Sequence, residues 1–472
     1  MGCNRAVTDF MRKTCLSVEK LLGFIAKFVA MFTPKFTAMF TAMFMAMFLA
    51  MFTACPAASA QNTCPGDTAR SDTAIVRYIE GQGFSVSHNN SLVLLPSGKE
   101  KFHDMFAVIA AAKNTVHLEY FNFRNDSIAG ALFELLKRKV SEGVKVRVLY
   151  DAFGNASNNR PIKKDELKEL RASGMEIYEY YPMRFPWVDY ALHRDHRKIV
   201  VVDGAIAYTG GMNVADYYIN GTEQVGNWRD MHMRVEGDVV GELQSIFLRI
   251  WNKTTGQNIR GNEYFPEVQP QGVSLPREAK RDTSATRGCK TVAVVNREPR
   301  RTPRLVRETF VKAIDCAQDE IDIVNPYFTL NRKLRRALKR AVKRGVNLRI
   351  MVSENSDIPI TPRVVDYNVR QLQKKGATVY YYRGGFHHSK IMTVDGRFAY
   401  LGSANLNARS LSYDYECNLL VVDTCTVAQL HSIFENDARK NCIVLDDEYW
   451  HKQRSAWKNF QGWLFHFLEP FL

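Results

Sequence analysis

The sequence predicts an α/β protein built from a duplicated unit, with two mixed, largely parallel sheets flanked by helices and related by pseudo-twofold symmetry. Three observations lead to this prediction. Two segments share one order of strand, loop, helix and strand. Each segment is followed by a histidine motif of the same form. A stretch with little hydrophobic periodicity separates the two halves, as expected of a linker.

The repeated segments are residues 111–150 and 313–352. In each, an apolar run of β-branched and aromatic residues precedes leucines at helical spacing, which is the pattern of a strand followed by an amphipathic helix. A Gly-Val pair, beginning at Gly143 or Gly345, then marks a helix end followed by a strand. Strand, helix and strand at this length predict βαβ units in largely parallel sheets with covered faces.

The length of 472 residues exceeds the size at which one hydrophobic core usually stops growing, so two domains or two halves with a shared core are expected. We place the first half at 70–254, the linker at 255–286 and the second half at 287–450. Residues 451–472 form an aromatic-rich C-terminal segment. This segment suits a membrane interface, and packing onto the domain is the alternative interpretation.

The N-terminal residues 1–60 form a hydrophobic segment. From Phe36 to Ala54 it is almost wholly apolar and, at about 1.5 Å per residue, long enough to cross a bilayer. Basic residues precede this span, which favours a cytoplasmic N-terminus with the rest of the chain translocated. Ala58-Ser59-Ala60 has the small-x-small form of a signal-peptidase site, so a cleaved signal and a retained anchor are both open interpretations.

The formal net charge of +15 predicts an anionic partner, either nucleic acid or an acidic membrane surface, and charge alone does not choose between them. None of the nine cysteines is arranged as CxxC, and those beyond residue 60 are scattered, which disfavours a zinc site. Disulfides and isolated buried thiols are both compatible with this pattern.

Two HxKxxxxD motifs carry the candidate chemistry. Their residues are His196, Lys198 and Asp203, and His388, Lys390 and Asp395. The apolar run within each motif predicts a strand, on which residues i and i+2 share a face, so the histidine and lysine point the same way. A single HxK is a weak signal. Its recurrence after each repeat, with the same seven-residue step from the aspartate to a glycine, is hard to reconcile with chance.

Two imidazoles, two ammonium groups and two amides around one cavity would suit a phosphodiester. Lys198 and Lys390 would neutralise phosphoryl oxygens, and Asn213 and Asn405 would donate hydrogen bonds to them, leaving little need for a metal ion. One histidine can attack phosphorus while its partner protonates the leaving alkoxide, since the unperturbed imidazole pKa is about 6.5. The sequence does not assign the nucleophile to either histidine. The glycines before each asparagine are expected where the backbone approaches a ligand.

HxKxxxxD followed by GxxN, twice, resembles the phospholipase D superfamily. The resemblance implies a duplicated phospholipase D fold and a covalent two-step mechanism through a phosphohistidine, without a metal ion or other cofactor. It implies that an acidic side chain downstream of each motif orients the histidine, and Asp230 and Glu416 are the candidates. Asp203 and Asp395 count among the catalytic motif residues, yet they look structural and would brace the turn.

From about Ile75 to Leu472 the chain more closely resembles bacterial cardiolipin synthases. The motifs that carry this resemblance include EYFNFRND at Glu119, GGMNVADYY at Gly210, NWRDMHMRVEG at Asn227, NPYF at Asn325 and GSANLNARSLSYDYECN at Gly402. The resemblance implies transfer of a phosphatidyl group from one phosphatidylglycerol to another with release of glycerol. It also implies that Asn407 to Ser410 line the site.

The expected partners are therefore phosphatidylglycerol and an anionic membrane surface rather than nucleic acid, with one monomeric active site built from two halves. The expected location is the cell membrane, with the catalytic part extracytoplasmic. Phosphodiester chemistry does not name the accepting alcohol, so a hydrolytic phospholipase D and a phosphodiesterase or nuclease of the same superfamily are alternatives. A catalytically inactive membrane-associated binding protein is a remote one, because both motifs are complete.

Overall fold

The computed structural model describes residues 70–182, 192–267, 275–453 and 456–471. The chain divides into two units, residues 1–68 and 69–472. The hydrophobic segment predicted at residues 1–60 and its candidate cleavage site lie outside the described residues. Within the described ranges, no helix is both long enough and apolar enough to cross a membrane.

The strands fall into two sets that follow the repeat. Those of the first half are β1 (Ser87–Leu95), β2 (Thr115–Tyr120), β3 (Lys145–Asp151), β4 (Glu176–Tyr180), β5 (Lys198–Val202), β6 (Ile206–Gly210), β7 (Trp228–Arg229) and β8 (His232–Gly237). Those of the second half are β9 (Lys290–Arg297), β10 (Glu320–Val324), β11 (Asn347–Ser353), β12 (Thr378–Tyr382), β13 (Phe386–His387), β14 (Ile391–Val394), β15 (Phe398–Gly402), β16 (Glu416–Val422) and β17 (Cys442–Val444).

Helices connect and cover these strands. In the first half they are α1 (Ser71–Gly81), α2 (Gly98–Ala110), α3 (Ser127–Ser141), α4 (Ala152–Ala156), α5 (Lys164–Ala172), α6 (Tyr217–Asn220) and α7 (Val239–Thr255). In the second half they are α8 (Leu305–Cys316), α9 (Arg332–Lys343), α10 (Thr361–Gln373), α11 (Ala408–Ser412), α12 (Thr424–Asn441), α13 (Asp447–Gln453) and α14 (Ala456–Phe465). Short 3-10 helices lie at Asn262–Tyr264 and His466–Phe471.

Fifteen of these strands form one mixed sheet in the order β17-β12-β11-β10-β14-β15-β16-β9-β1-β8-β6-β5-β2-β3-β4, and β7 and β13 pair separately. The halves join where β1 and β9 run antiparallel, with Ser87 opposite Val292 and Asn90 opposite Lys290. The prediction of one sheet for each half is therefore wrong, because edge strands from both halves hydrogen-bond to each other. An α/β fold with helices flanking a mixed sheet is confirmed.

The prediction of largely parallel strands is also wrong. Within the fifteen-stranded sheet of the described residues, only β2-β3-β4 and β10-β11-β12 run parallel. The first two strands of each set lie in the repeated segments. The motif strands β5 and β14 instead form antiparallel hairpins with β6 and β15. Tight turns make these hairpins, with positive φ at Asp203 (53°), Gly204 (65°), Asp395 (52°) and Gly396 (63°). A turn of this length reverses the chain and leaves no room for a crossover helix.

Helices α3 and α9, which the leucine spacing predicts, bury those leucines against the sheet. Leu132 and Leu136 are fully buried in α3, and Leu334 and Leu338 in α9. Side chains cap both N-termini, since Asp126 accepts from Ala129 N–H and Asn331 accepts from Leu334 N–H. The glycines that follow, Gly143 (φ 90°) and Gly345 (φ 91°), turn the chain into the next strand.

A core shared by both halves lies between the sheet and helices α7 and α12. It packs Leu92 and Leu243 of the first half with Val294, Leu419 and Leu430 of the second. Two further clusters lie on the opposite face, one built from the first half and one mainly from the second, and Ile75 and Ile79 of α1 pack into the latter. Because separating the halves would expose the shared cluster, the relative position of the two histidine motifs is fixed by hydrophobic packing.

The described parts of the predicted linker are attached to the first half. Asp282 accepts a hydrogen bond from Leu92 N–H (3.1 Å), and Lys280 N–H donates to Asp104 (2.7 Å). Leu275 and Ala279 are buried in the core of that half. The described residues of this stretch therefore have defined contacts with the first half, although their sequence shows little hydrophobic periodicity.

Candidate active site

The two histidine motifs meet at one cavity of about 540 Å³. His196 precedes β5 and His388 precedes β14, and both imidazoles line the cavity. Asn213 and Asn405 line it as well. Residues that are 192 positions apart in the sequence are thus brought together. The motif strands β5 and β14 hold matching places on the two sides of the β1–β9 pair, and short pairings between the halves link the segments that precede them.

Each histidine contacts an acidic residue from the other half. His196 Nδ1 lies 3.1 Å from Glu416 Oε1, and His388 Nδ1 lies 2.8 Å from Asp230 Oδ2. Asp230 and Glu416 are the orienting partners predicted from the sequence. Asp230 follows the first motif in the sequence but contacts the histidine of the second, and Glu416 follows the second motif but contacts the histidine of the first. A carboxylate only accepts hydrogen bonds, so it fixes the imidazole proton on Nδ1 and leaves the Nε2 lone pair available.

Short parallel pairings between the halves produce this exchange. Before His388, β13 pairs with β7, and His388 N–H donates to Arg229 carbonyl oxygen (2.6 Å). Before His196, a bridge joins Asp195 to Tyr415, and His196 N–H donates to Tyr415 carbonyl oxygen (3.1 Å). The residue that follows each of these partners is the acid, so the backbone pairing places it beside the imidazole.

Burial keeps both imidazoles neutral near pH 7. Desolvation and the nearby Lys198 lower the pKa of His196 from 6.5 to about 4. Desolvation and Lys390 likewise lower the pKa of His388. The expectation that both imidazoles keep an unperturbed pKa is therefore wrong, because burial penalises their charged form. A neutral imidazole is the form that can act as a nucleophile.

The two orienting acids remain ionised. Burial opposes the charge of Glu416, but His196 and Lys198 outweigh it and hold the pKa of Glu416 below its usual value. For Asp230, burial is outweighed mainly by Lys390 and His388, and its pKa is also lowered. Both side chains are completely buried. Buried carboxylates of this kind hold a ring in one orientation and one tautomer.

The motif lysines lie beside the histidines. Lys198 Nζ donates to His196 carbonyl oxygen (2.5 Å), and Lys390 Nζ lies 2.8 Å from His388 Nδ1 and 3.0 Å from Nε2. Burial lowers the pKa of Lys198 to about 7 and that of Lys390 to about 8. An anion entering the cavity would raise both pKa values and draw protons onto these amines. The site can thus gain positive charge as a phosphate arrives.

The predicted amides are placed to meet a ligand. The Oδ1 atoms of Asn213 and Asn405 are buried and have no hydrogen-bond partner among the described residues. Asn407 and Ser410 also line the cavity, and Asn407 caps α11 by accepting from Ser410 N–H (2.8 Å). These oxygens can accept from a donor group of a ligand, whereas hydrogen bonds to phosphoryl oxygens would be donated by Nδ2 of the same amides.

Asp203 and Asp395 lie apart from this cavity, so their grouping with the catalytic residues is corrected. Asp203 accepts from the backbone N–H groups of Lys113 (2.8 Å), Asn114 (2.7 Å) and Thr115 (2.8 Å). Asp395 accepts in the same way from the backbone of residues 318–320. Each closes the turn after a motif strand onto the strand beside it, which is the bracing role that the sequence suggested.

The glycines before the asparagines serve the acids rather than a ligand. A Cβ at Gly211 would lie 2.3 Å from Asp230 Oδ1, and one at Gly402 would lie 2.4 Å from Cys417 carbonyl oxygen. Ser403 stands in the second half where Gly211 stands in the first, and its hydroxyl donates to Glu416. The prediction that these glycines let the backbone approach a ligand is therefore wrong. Their missing side chains leave space for the strand that carries the acid.

Aromatic residues that the sequence analysis did not assign to the site surround the imidazoles. Ring centroids lie 5.2 Å apart for Phe121 and His196, 5.4 Å for Trp228 and His388, and 5.7 Å for Tyr327 and His388. Phe121 and Tyr327 follow the first strand of each repeat, within EYFN and NPYF. They lie one position out of register in the repeat, so the signal that could have identified them is the aromatic residue that comes shortly after the first strand in each half.

Comparison with known proteins agrees with this geometry. The family model described as cardiolipin synthase, PLD-like domain, matches residues 105–251 and 310–438, together more than half of the chain. The chain is 31% identical over 387 residues to cardiolipin synthase 2 of Staphylococcus epidermidis, which covers 81% of this chain and 75% of that protein. It is 32% identical over 388 residues to the cardiolipin synthase of Oceanobacillus iheyensis, with 82% and 76% covered.

Among solved structures, the phosphatidylserine synthase of Haemophilus influenzae Rd KW20 superposes with a TM-score of 0.63 at 15% identity. The match covers 85% of this chain and 100% of that chain, and it supports the fold alone. The residues matched by the family model include both motifs and both orienting acids. The chain therefore belongs to the cardiolipin synthase family of phospholipase D-like phosphatidyltransferases.

Proposed function

We propose that this enzyme joins two phosphatidylglycerol molecules into cardiolipin and glycerol through a phosphohistidine intermediate. The observation that carries the proposal is the pair of neutral imidazoles at one cavity, each held by a carboxylate from the other half. Two such groups can divide the work of nucleophile and proton carrier. The matched strand orders on the two sides of the β1–β9 pair support a pseudo-twofold relation between the halves that generates this arrangement.

In the first step, Nε2 of one histidine attacks the phosphorus of a bound phosphatidylglycerol. A bond between nitrogen and phosphorus forms, and the bond from phosphorus to the oxygen of the headgroup glycerol breaks. The second imidazole must be protonated at this point, and the negative charge of the bound phosphodiester raises its pKa. That imidazolium gives its proton to the leaving oxygen, so glycerol departs neutral and the second imidazole becomes neutral.

In the second step, the primary hydroxyl of another phosphatidylglycerol attacks the phosphohistidine. Its proton passes to the second imidazole, the new bond from oxygen to phosphorus forms, and the bond from nitrogen to phosphorus breaks. Lys198, Lys390, Asn213 and Asn405 would stabilise the phosphoryl oxygens in both steps. The enzyme returns to its starting protonation state, and no metal ion is required by this scheme.

Transfer to a lipid hydroxyl requires that water be excluded from the intermediate. The aromatic wall near the histidines, including Phe121, Trp228 and Tyr327, supports exclusion because ring faces offer water no strong hydrogen bonds. Hydrolytic phospholipase D or phosphodiesterase activity is the alternative, and an inactive binding protein is a remote one. No nucleic acid is expected as a partner.

The test uses purified full-length enzyme with phosphatidylglycerol vesicles in the presence of EDTA. The proposal predicts cardiolipin and glycerol in equal amounts. Phosphatidic acid as the main product would identify a hydrolase and overturn the synthase proposal. Loss of turnover in EDTA that returns with added divalent metal would overturn the metal-independent mechanism, whatever the product.

We also propose a location at the cell membrane with the catalytic part extracytoplasmic. The apolar span at residues 36–54 and the basic residues before it support this orientation. Protease added to intact spheroplasts should digest the part of the chain beyond residue 70. Digestion only after the cells are broken would place the catalytic part in the cytoplasm.

A further inference from the structure

The C-terminal segment exposes a continuous row of large apolar side chains. Its aromatic face, as we define it, consists of Trp457 (55% exposed), Phe460 (46%), Trp463 (48%), Leu464 (45%) and Phe467 (57%). Neighbouring rings lie 5.5–5.8 Å apart along the row. Exposed apolar side chains scattered singly are normal on a protein surface, but a contiguous patch marks an interaction site. The other strongly exposed large apolar residues in the described ranges, such as Tyr178, Ile219 and Val444, belong to different elements of the chain.

Several of the described contacts between this segment and the protein are polar. Glu469 is buried, accepts a hydrogen bond from Asn368 Nδ2 (2.7 Å) and pairs with Arg335 Nη2 (2.5 Å). Asn459 accepts from Arg370 Nη1 (3.0 Å), and Gly462 is buried against the backbone of α10. These contacts fix the rotation of the segment about its axis. A segment that buries polar groups and presents its rings outward reverses the pattern of an ordinary surface helix.

The elements that contact the C-terminal segment are rich in basic residues. Helix α9, to which Arg335 ties the segment, contains no acidic residue. Arg336 and Lys343 of this helix are exposed and have no ion-pair partner among the described residues, and the same is true of Lys374, just after α10. A second copy of this chain would bring like charges together at this surface. An anionic bilayer would attract it, by about 1 kcal/mol for each basic residue near the headgroups.

The same segment reaches the rim of the cavity. The 3-10 helix His466–Phe471 contacts α11, which carries the cavity residue Ser410. Helix α14 packs along α10, which begins at the cavity residue Thr361. Ile358, just before α10, lines the cavity and is 43% exposed. The C-terminal segment that carries the aromatic face therefore contacts two helices that line the cavity, α10 and α11.

We propose that the aromatic face docks the enzyme onto the interfacial region of an anionic phospholipid bilayer and holds the cavity rim against the headgroups. The wider role, delivery of a lipid headgroup to the histidines, rests on the proposed function. Aromatic rings of this kind settle at the boundary of headgroup and acyl chain, and basic residues around them add electrostatic attraction. Docking at this depth presents the cavity to phosphodiesters without extracting the lipid from the membrane.

The first test measures contact with lipid in the full-length enzyme. Vesicles of phosphatidylglycerol and phosphatidylcholine carrying bromine near the top of the acyl chains quench tryptophans at the interface. The chain has six tryptophans. In the variant Trp457→Phe/Trp463→Phe, which keeps the rings, the quenched part of the fluorescence should fall at least twofold. Equal quenching in this variant and the parent enzyme would overturn the proposal.

The second test measures the benefit to turnover. The variant Trp457→Ala/Phe460→Ala/Trp463→Ala/Phe467→Ala should lower the ratio of turnover on vesicles to turnover on short-chain monomeric phosphatidylglycerol about tenfold. The control Tyr178→Ala/Phe265→Ala removes two exposed rings elsewhere and should leave the ratio unchanged. An unchanged ratio in the aromatic-face variant, or an equal fall in the control, would overturn the proposal, as would a dimer of the parent enzyme that this variant abolishes.

The two tests separate this inference from the proposed function. Because both substrates share one headgroup, a general loss of folding or of chemistry lowers both rates and leaves their ratio intact. If the enzyme forms phosphatidic acid rather than cardiolipin, the ratio still reports docking. If it acts on neither lipid, the proposed function fails, and bromine quenching alone decides whether the aromatic face contacts the bilayer.

Discussion

The imidazole of His196, in the first half of the chain, lies 3.1 Å from the carboxylate of Glu416 in the second. The reciprocal pair, His388 and Asp230, is 2.8 Å apart and also crosses between the halves. Each half therefore holds a histidine whose orienting acid belongs to the other, and neither half alone contains a complete site. The shared core between the sheet and helices α7 and α12 fixes the two halves relative to each other.

Removing the charge of an orienting acid should impair the chemistry more than binding. In Glu416→Gln, the amide can donate to Nδ1 and favour the wrong tautomer of His196, so we expect kcat to fall roughly a hundredfold or more. Asp230→Asn should do the same through His388. Initial rates on phosphatidylglycerol would separate kcat from KM. A change of less than threefold in either variant would contradict the orienting role.

A methyl group at Gly211 should disable the site without unfolding the protein. A Cβ there would lie 2.3 Å from Asp230 Oδ1 and would displace the carboxylate from His388. We expect Gly211→Ala to lose at least about tenfold in kcat, through loss of a charge-assisted hydrogen bond. The matched control is Gly130→Ala, because a Cβ at Gly130, in helix α3, meets no atom within 4 Å. A control that loses as much activity would exclude this explanation.

The pKa of His196 predicts a pH dependence of stability. Because burial lowers this pKa from 6.5 to about 4, the unfolded chain binds a proton more readily than the folded one between these values. The contribution is fully present above pH 6.5 and is lost as the pH falls toward 4, by about 3 kcal/mol in total. Denaturant unfolding at pH 7.5 and pH 4.5 should show a smaller loss for His196→Gln than for the parent enzyme. Equal losses would contradict the lowered pKa.

The motif aspartates should matter for stability rather than chemistry. Asp203→Ala leaves three backbone N–H groups without their acceptor and places alanine at a positive φ, so we expect a loss of about 2 kcal/mol in unfolding free energy. Thermal unfolding would measure this loss. Turnover per folded molecule, measured below the melting temperature, should change less than threefold. A hundredfold fall in a folded variant would return Asp203 to the catalytic residues.

The sequence predicted those features that local pattern encodes. Leucine spacing located α3 and α9, the glycines after them marked the next strands, and the repeat predicted that His196 and His388 share one cavity. It did not predict the single sheet. The pairing of β1 with β9 depends on contacts between residues about 200 positions apart, which no local pattern encodes.

The sequence also did not predict that each histidine contacts the acid from the other half. Asp230 follows His196 by 34 residues, and nothing in that spacing distinguishes a partner in the same half from one in the other. The choice depends on β7 pairing with β13, two strands of two residues each, which are too short to leave a hydrophobic pattern. The burial that lowers the imidazole pKa values arises from the same tertiary packing.

The central claim is that both histidines serve one site. The measurement that tests it most directly is the rate of cardiolipin formation from phosphatidylglycerol by the parent enzyme, His196→Ala, His388→Ala and the double variant. Because the residues act as a unit, each single variant should lose at least about a thousandfold, and the double variant should lose no more than either single one. A single variant that keeps about half of the parent rate would contradict the shared site and indicate two independent ones.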